Sequence, residues 1–110
     1  MAAIYNFLDI KKSTTFNARK FTFPFSITGA CIVMQFKHRS NGENAFAWKT
    51  SDNTIDIISD TEMIMTSRNM DYPVSEYIYD IIVTLLDGTV QIYFEGSLEI
   101  TDKISEKCPV

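Results

Sequence analysis

A chain of 110 residues fits a single domain, here residues 1–110, and exceeds the roughly 70–80 residues below which a core needs disulfide or metal staples. Its formal net charge of −4 argues against a nucleic-acid binder, because neutralising phosphate takes clustered Lys and Arg, and Lys11-Lys12 and Arg19-Lys20 are short and local. No apolar run approaches the ~20 residues of a membrane span, and the start Met-Ala-Ala-Ile lacks the basic stretch of a secretory leader.

In chain order, residues 4–10 (Ile-Tyr-Asn-Phe-Leu-Asp-Ile) read as a first strand at a sheet edge. Residues 14–23 alternate loosely and offer Phe16, Phe21 and Phe23 to a core. Pro24 cannot donate to a ladder and breaks or edges that run. Residues 26–30 form a bend containing Gly29. The strand that follows sends Ala30, Ile32, Met34 and Phe36 one way and Cys31, Val33, Gln35 and Lys37 the other. Asn41-Gly42 turns the chain. Residues 45–49 carry Phe46 and Trp48 on one face. Ser51-Asp52-Asn53 turns again, and short strands at 55–57 and 62–65 are separated by Ser59-Asp60. Residues 67–73 show no helical apolar spacing and read as a connection.

The strongest signal lies between residues 76 and 100. Two β-rich runs flank Asp87-Gly88, a pair that predicts a type I′ hairpin turn with Gly88 at positive φ. Parity puts Tyr77, Tyr79, Ile81, Val83 and Leu85 on one face and Ile78, Asp80, Ile82, Thr84 and Leu86 on the other. After the turn, Val90, Ile92 and Phe94 share a face. A long ribbon with one apolar face cannot stand alone. About eight short strands with turn signals at roughly 8–12-residue intervals indicate an all-β sandwich of antiparallel strands. Residues 105–110 are expected to be a flexible tail.

Chemistry-bearing residues are sparse. His38, beside Arg39, reads as a surface residue. One histidine and two distant cysteines, Cys31 and Cys108, do not supply the four ligands of a zinc site, and reduced thiols are the expectation. No metal or cofactor is expected. Asp56, Asp60, Glu62 and Asp71 fall mostly at turns, and Asp80 reads as an outward carboxylate. No catalytic constellation emerges, so the chain is expected not to be an enzyme. Tyr77 stands near the start of a late strand, close to the 67–73 connection. It is the better candidate for a tyrosine corner, a phenol bonded back to the preceding connection, so Tyr77→Phe should cost more stability than Tyr79→Phe. Trp48 reads as a core anchor. Were Trp48, Tyr72 and Tyr93 exposed, they would suit a module for a carbohydrate or a cell-surface receptor.

Several motifs recur together: Phe21-x-Phe23, Ile27-Thr28-Gly29-Ala30 opening a strand through Met34-Gln35-Phe36-Lys37, Thr50-Ser51 before Ile55-x-Ile57, Tyr77-Ile78-Tyr79-Asp80-Ile81, Asp87-Gly88, and Phe94-Glu95-Gly96-Ser97-Leu98. In order and spacing, over roughly residues 7–104, they resemble the N-terminal domain of siphophage upper baseplate proteins and related small prophage tail-associated proteins. Ser26 stands where that pattern usually has Asp, and Ser13-Thr14-Thr15 replaces an early Gly-Asp-Thr. The resemblance implies an immunoglobulin-like sandwich. It further implies a structural role in the tail or baseplate of a virion made in a bacterial cytoplasm, other tail or baseplate proteins as partners, and no catalytic residues. Separately, an edge strand without an early charge or proline invites pairing. Ile4, Tyr5, Phe7 and Leu8 are therefore the expected partner contacts of a homo-oligomer or of a subunit completed by another tail protein. Gly29, Tyr77, Tyr79, Asp87 and Gly88 are the expected structural residues.

Overall fold

The computed structural model describes residues 3–102. The first half of the chain forms β1 (Ala3–Ile4), β2 (Ile10–Lys11), β3 (Thr15–Phe16), β4 (Arg19–Thr22), β5 (Cys31–His38) and β6 (Asn44–Lys49), then a 3-10 turn at Thr50–Asp52. The second half forms β7 (Ile55–Ile57), β8 (Glu62–Met65), β9 (Arg68–Asn69), β10 (Ser75–Thr84) and β11 (Val90–Thr101). One layer is a six-stranded sheet in the order β1-β11-β10-β5-β6, with β2 also on β11. The other is β4-β8-β7, extended by the β3-β9 pair. β1 and β2 run parallel to β11, while the other pairings are antiparallel. The first strand beside the last, and β4-β8-β7 opposing β11-β10-β5-β6, is the layout of an immunoglobulin-like sandwich. Taken as interrupted courses, β1 with β2, β3 with β4 and β8 with β9 reduce the strands to the expected eight or so.

The alternation read from the sequence builds the core. Ile32, Met34 and Phe36 of β5 are fully buried, as are Tyr77, Ile81 and Val83 of β10, with Tyr79 nearly so. Trp48 is fully buried, its Nε1 donating to the Thr66 carbonyl at 2.8 Å. That carbonyl lies between β8 and β9, so the indole satisfies backbone just where the strand course is broken. Arg68 closes the site from outside. Its guanidinium carbon lies 3.9 Å from the Trp48 ring centroid, and Nη2 donates to the Ala47 carbonyl at 2.9 Å. The connection at 67–73 holds more structure than its sequence suggested, since β9 pairs with β3 and Met70 is fully buried.

Two expectations about the long hairpin are corrected. Asp87 has no positive φ, whereas Gly88 does, at 90°. The Gly88 amide donates to Leu85 O at 2.9 Å and the Leu85 amide to Thr89 O at 2.8 Å. This is a three-residue loop closed by a left-handed glycine rather than a two-residue type I′ turn. Asp87 contributes through its side chain, which accepts from the Thr89 amide at 2.9 Å. The second correction is one of parity. The register slips between Ile81 and Ile82, where Ile81 pairs with Phe94 but Ile82 with Ile92. The extra residue is a β-bulge, which turns Phe94 inward while Val90 and Ile92 stay outside. Tyr93 and Phe94 then both reach Phe23, at ring separations of 6.2 and 5.2 Å.

Gly29 is structural as expected. It has φ 71°, and the Ala30 amide donates to Ile27 O at 3.0 Å. Positive φ confined to the third residue is the signature of a type II turn. A Cβ there would also stand 2.9 Å from Leu86 Cδ1, so the exposed leucine of the hairpin loop lies over this bend. The expected tail at 105–110 and Cys108 lie outside the described residues, and Cys31 is an exposed free thiol.

Candidate functional site

The partner-contact residues expected from the sequence sit together at the sheet edge. Residues 3–8 run beside β11. The Tyr5 amide donates to Glu95 O and the Phe7 amide to Ser97 O, each at 2.9 Å. The edge position is therefore as expected, but the segment is not one continuous strand to residue 10. Regular strand geometry ends at Ile4 and returns at β2, with the Tyr5 and Phe7 amides holding the stretch between to β11.

The four side chains divide. Ile4 is 72% exposed, Leu8 89% and Tyr5 46%, whereas Phe7 is only 8% exposed. Phe7 packs among Phe16 at 5.2 Å, Tyr79 at 5.3 Å, and Phe21 and Phe36, both at 6.3 Å. The expectation of Phe7 as a surface contact is thus corrected: it anchors the first strand to its own core. A free edge strand would gain little from burying a phenyl ring on its neighbour while leaving a hole of that size at home.

Gly96 is the residue that sequence reading passed over. A Cβ at Gly96 would lie 1.9 Å from the Tyr5 carbonyl oxygen and 3.0 Å from Tyr79 Cε1. Only a missing side chain lets the first strand cross here and lets Tyr79 donate its hydroxyl to Tyr5 O at 2.6 Å. A glycine inside an otherwise good strand was the available signal, since it marks the close approach of another backbone. Ser97 strengthens the crossing, its hydroxyl donating to Asn6 Oδ1 at 3.1 Å. Burial pushes the Tyr79 phenol well above its ordinary value, with Tyr5 adding to the shift. The neutral, donating form is thereby favoured.

Tyr77 takes the corner role anticipated for it. Its hydroxyl donates to the Pro73 carbonyl in the preceding connection, and burial, then Tyr72, raises its pKa. The residue two places further on, which in antibody domains is the cysteine of the inter-sheet disulfide, is Tyr79 here. Ring packing against Phe36 at 5.0 Å and Phe7 fills that place.

Asp52, Asp60, Glu62 and Asp71 do not converge on a pocket, whereas Asp80 stands beside Glu95 on the outer sheet face. Asp60 accepts from the Ser26 hydroxyl at 2.5 Å and the Thr28 hydroxyl at 2.7 Å, which hold its carboxyl below the usual range. Ser26, a departure from the resembled pattern, is therefore the partner of Asp60, and an Asp at 26 would place two carboxylates together. Glu62 is lowered by Lys20 and Ser59, and Asp52 by Thr54. Asp71 pairs with Lys12 at 3.1 Å. His38 lies on the Tyr77 ring at 4.9 Å. Among the described residues no group of three His, Cys, Asp or Glu is placed to hold a metal ion, and no helix is long and apolar enough to cross a membrane.

The aromatics named for a sugar platform turn inward. Trp48 is in the core, Tyr72 stacks on Phe46 at 4.1 Å, and Tyr93 is half-buried against Phe23 and Phe25.

These features define an all-β, immunoglobulin-like sandwich in which Ile4, Tyr5, Leu8, Ile78, Val90 and Ile92 are exposed on the side of the sheet that carries the first strand. Comparison with solved structures agrees on the fold. The crystal structure of CopC from Methylosinus trichosporium OB3b superposes with a TM-score of 0.50 at 11% identity, covering 88% of this chain and 87% of that one. At such identity the likeness is one of fold alone. The V domain of amphioxus IgVJ-C2 matches with a TM-score of 0.32 at 10% identity, covering 84% of this chain and 98% of that one. No family model and no curated protein matches the sequence.

Proposed function

We propose that this chain is a non-enzymatic structural protein of a tailed phage or prophage, tail or baseplate associated, acting through protein–protein contacts. The ordered motifs from Phe21 to Leu98 support the assignment to that class. The observation that carries the contact role is the exposed apolar margin of the first strand, where Ile4 and Leu8 project into solvent on backbone held by β11. Such a margin lets a neighbour pack without disturbing the sandwich beneath it. Asp52, Asp60, Glu62 and Asp87 are tied into local hydrogen bonds, and the acidic pair Asp80 and Glu95 lies in an open concavity whose lining, among the described residues, holds no histidine or cysteine, which favours this reading over an active site. No observation favours the carbohydrate or receptor reading, because Trp48 is in the core and Tyr72 and Tyr93 are half-buried against it.

The test is immunogold electron microscopy of particles from an induced lysate, with wild type and Leu8→Glu compared. Label at the tail or baseplate, lost or reduced in Leu8→Glu while the purified variant melts like wild type, is the expected result. Particles that never carry the label would reject the assignment.

A further inference from the structure

The outer face of the six-stranded sheet lies open to solvent. Val90 is 60% exposed, Ile92 46% and Ile78 38%. The register fixes which side chains are neighbours on it. Ile92 and Val33 flank Ile82, Glu95 and Gln35 flank Asp80, and Ser97 and Lys37 flank Ile78. Asp80 and Glu95 thus stand directly opposite each other, an arrangement in which like charges destabilise a sheet. Among the described residues, neither carboxylate, nor the Lys37 ammonium one row away, makes a hydrogen bond or ion pair. Arg39 is already committed to Glu76 at 3.4 Å. A shallow concavity of about 480 Å³ lies over this row, lined by Ile4, Gln35, Lys37, Ile78, Asp80 and Glu95 among others.

We propose that this face binds a second copy of the chain about a two-fold axis, with Lys37 of each copy set against Asp80 and Glu95 of the other. The charge pattern argues for a copy as occupant. An isologous contact places residue i on j and j on i, so a patch carrying an acidic pair and an unpaired cation in adjacent rows is complementary to itself. The incoming ammonium relieves the Asp80–Glu95 repulsion, and its aliphatic stem lies along Ile78 and Ile4. Strand spacing of about 4.8 Å and a rise of about 3.3 Å per residue give the face a projected area of roughly 600 Å², which counted over both copies reaches the lower end of the ~1,200–2,000 Å² of a specific interface. The proposal goes beyond the tail reading and stands without it, being read on the purified protein and not on particles.

Sedimentation velocity of the full chain tests it. Wild type is expected to show a reversible dimer. Lys37→Glu alone and the double variant Asp80→Lys/Glu95→Lys alone should each associate roughly tenfold or more weakly, because each sets like charges against one another twice. Mixed in equal amounts, the two variants should recover wild-type association, since both contacts then pair opposite charges. Ile78→Arg, which alters no charge of the proposed pairs, should also weaken the dimer. Circular dichroism melts establish that each variant is folded. If the opposite β-strands do not tolerate the double variant, Glu95→Lys takes its place. A strictly monomeric wild type, or a dimer unaffected by charge reversal and by Ile78→Arg, overturns the proposal. So does a monomer whose face instead captures a lysine-rich peptide.

Discussion

Two phenols on β10 do similar chemistry at very different range. Tyr77 donates to Pro73, four residues back, while Tyr79 donates to Tyr5 at the far end of the sequence. Position alone ranked Tyr79 as the less important, and its bond to Tyr5 removes the ground for that ranking. Each Tyr→Phe substitution should cost on the order of 1 kcal/mol, the net value of one hydrogen bond, plus any penalty for a stranded carbonyl. Amide hydrogen exchange separates the two. Tyr79→Phe should speed exchange at Tyr5 and Phe7, whose amides hold the first strand to β11, and leave the connection before β10 protected. Tyr77→Phe should do the reverse, loosening Met70, whose amide donates to Thr14 O at 2.9 Å. Equal loosening at both places in either variant would deny the hydroxyls separate roles.

At the scale of the element, the β10–β11 hairpin shows how much one glycine decides. Gly88 holds φ 90°, and a Cβ there would meet nothing within 4 Å. Space is therefore no obstacle, and any penalty for a side chain is backbone strain. Gly88→Val should destabilise by roughly 1–3 kcal/mol, the scale for a residue forced into a sparsely populated region. A chemical denaturation midpoint equal to wild type would show that the loop relaxes to another turn at no cost. The bulge at Tyr93 is the element's other decisive feature. It turns the rest of β11 so that Phe94, Leu98 and Ile100 face the core while Val90 and Ile92 remain outside. Without it, alternation from the hairpin loop would have turned Phe94 outward with Ile92.

For the molecule as a whole, several carboxylates act as clasps between segments. Asp60 fastens the 26–28 bend to the loop before β8, both through its side chain and through its carbonyl, which accepts from the Ile27 amide at 2.7 Å. Asp52 and Asp87 hold their own turns through Thr54 and Thr89. In each case the hydrogen bonds require the charged carboxylate and lower its pKa in the folded state. The unfolded chain, with carboxyls near the ordinary ~3.9, then binds more protons in the window below that value. The stabilisation is present in full above it and is lost as pH falls through the folded values. Melting temperature should accordingly drop as pH falls below about 4, and the drop should be smaller in Asp60→Asn, which starts lower and has one fewer carboxylate to protonate. Identical acid limbs for the two proteins would mean that Asp60 contributes nothing to acid sensitivity.

What the sequence determined alone was local and periodic. Alternation with a period of two gave the buried faces of β5 and β10. Pairs such as Asn41-Gly42 and Asp87-Gly88 gave the turns, and Tyr77 could be assigned because its partner lies a few residues away. Ile4, Tyr5 and Leu8 were legible as exposed edge residues for the same reason, since a run without early charge or proline reads as a strand whatever it pairs with. Only the tertiary structure decided the rest. Phe7 belongs to the core because Phe16, Phe21, Phe36 and Tyr79 meet around it from four different strands. Gly96 matters because the Tyr5 carbonyl passes over it, and Met70 is buried because β9 finds β3. The outward meeting of Asp80 with Glu95 depends on a register set partly by the bulge. These are contacts between residues distant in sequence. Their energies depend on which segments are brought together in space, and a pattern read along one segment carries no information about the partner it will find.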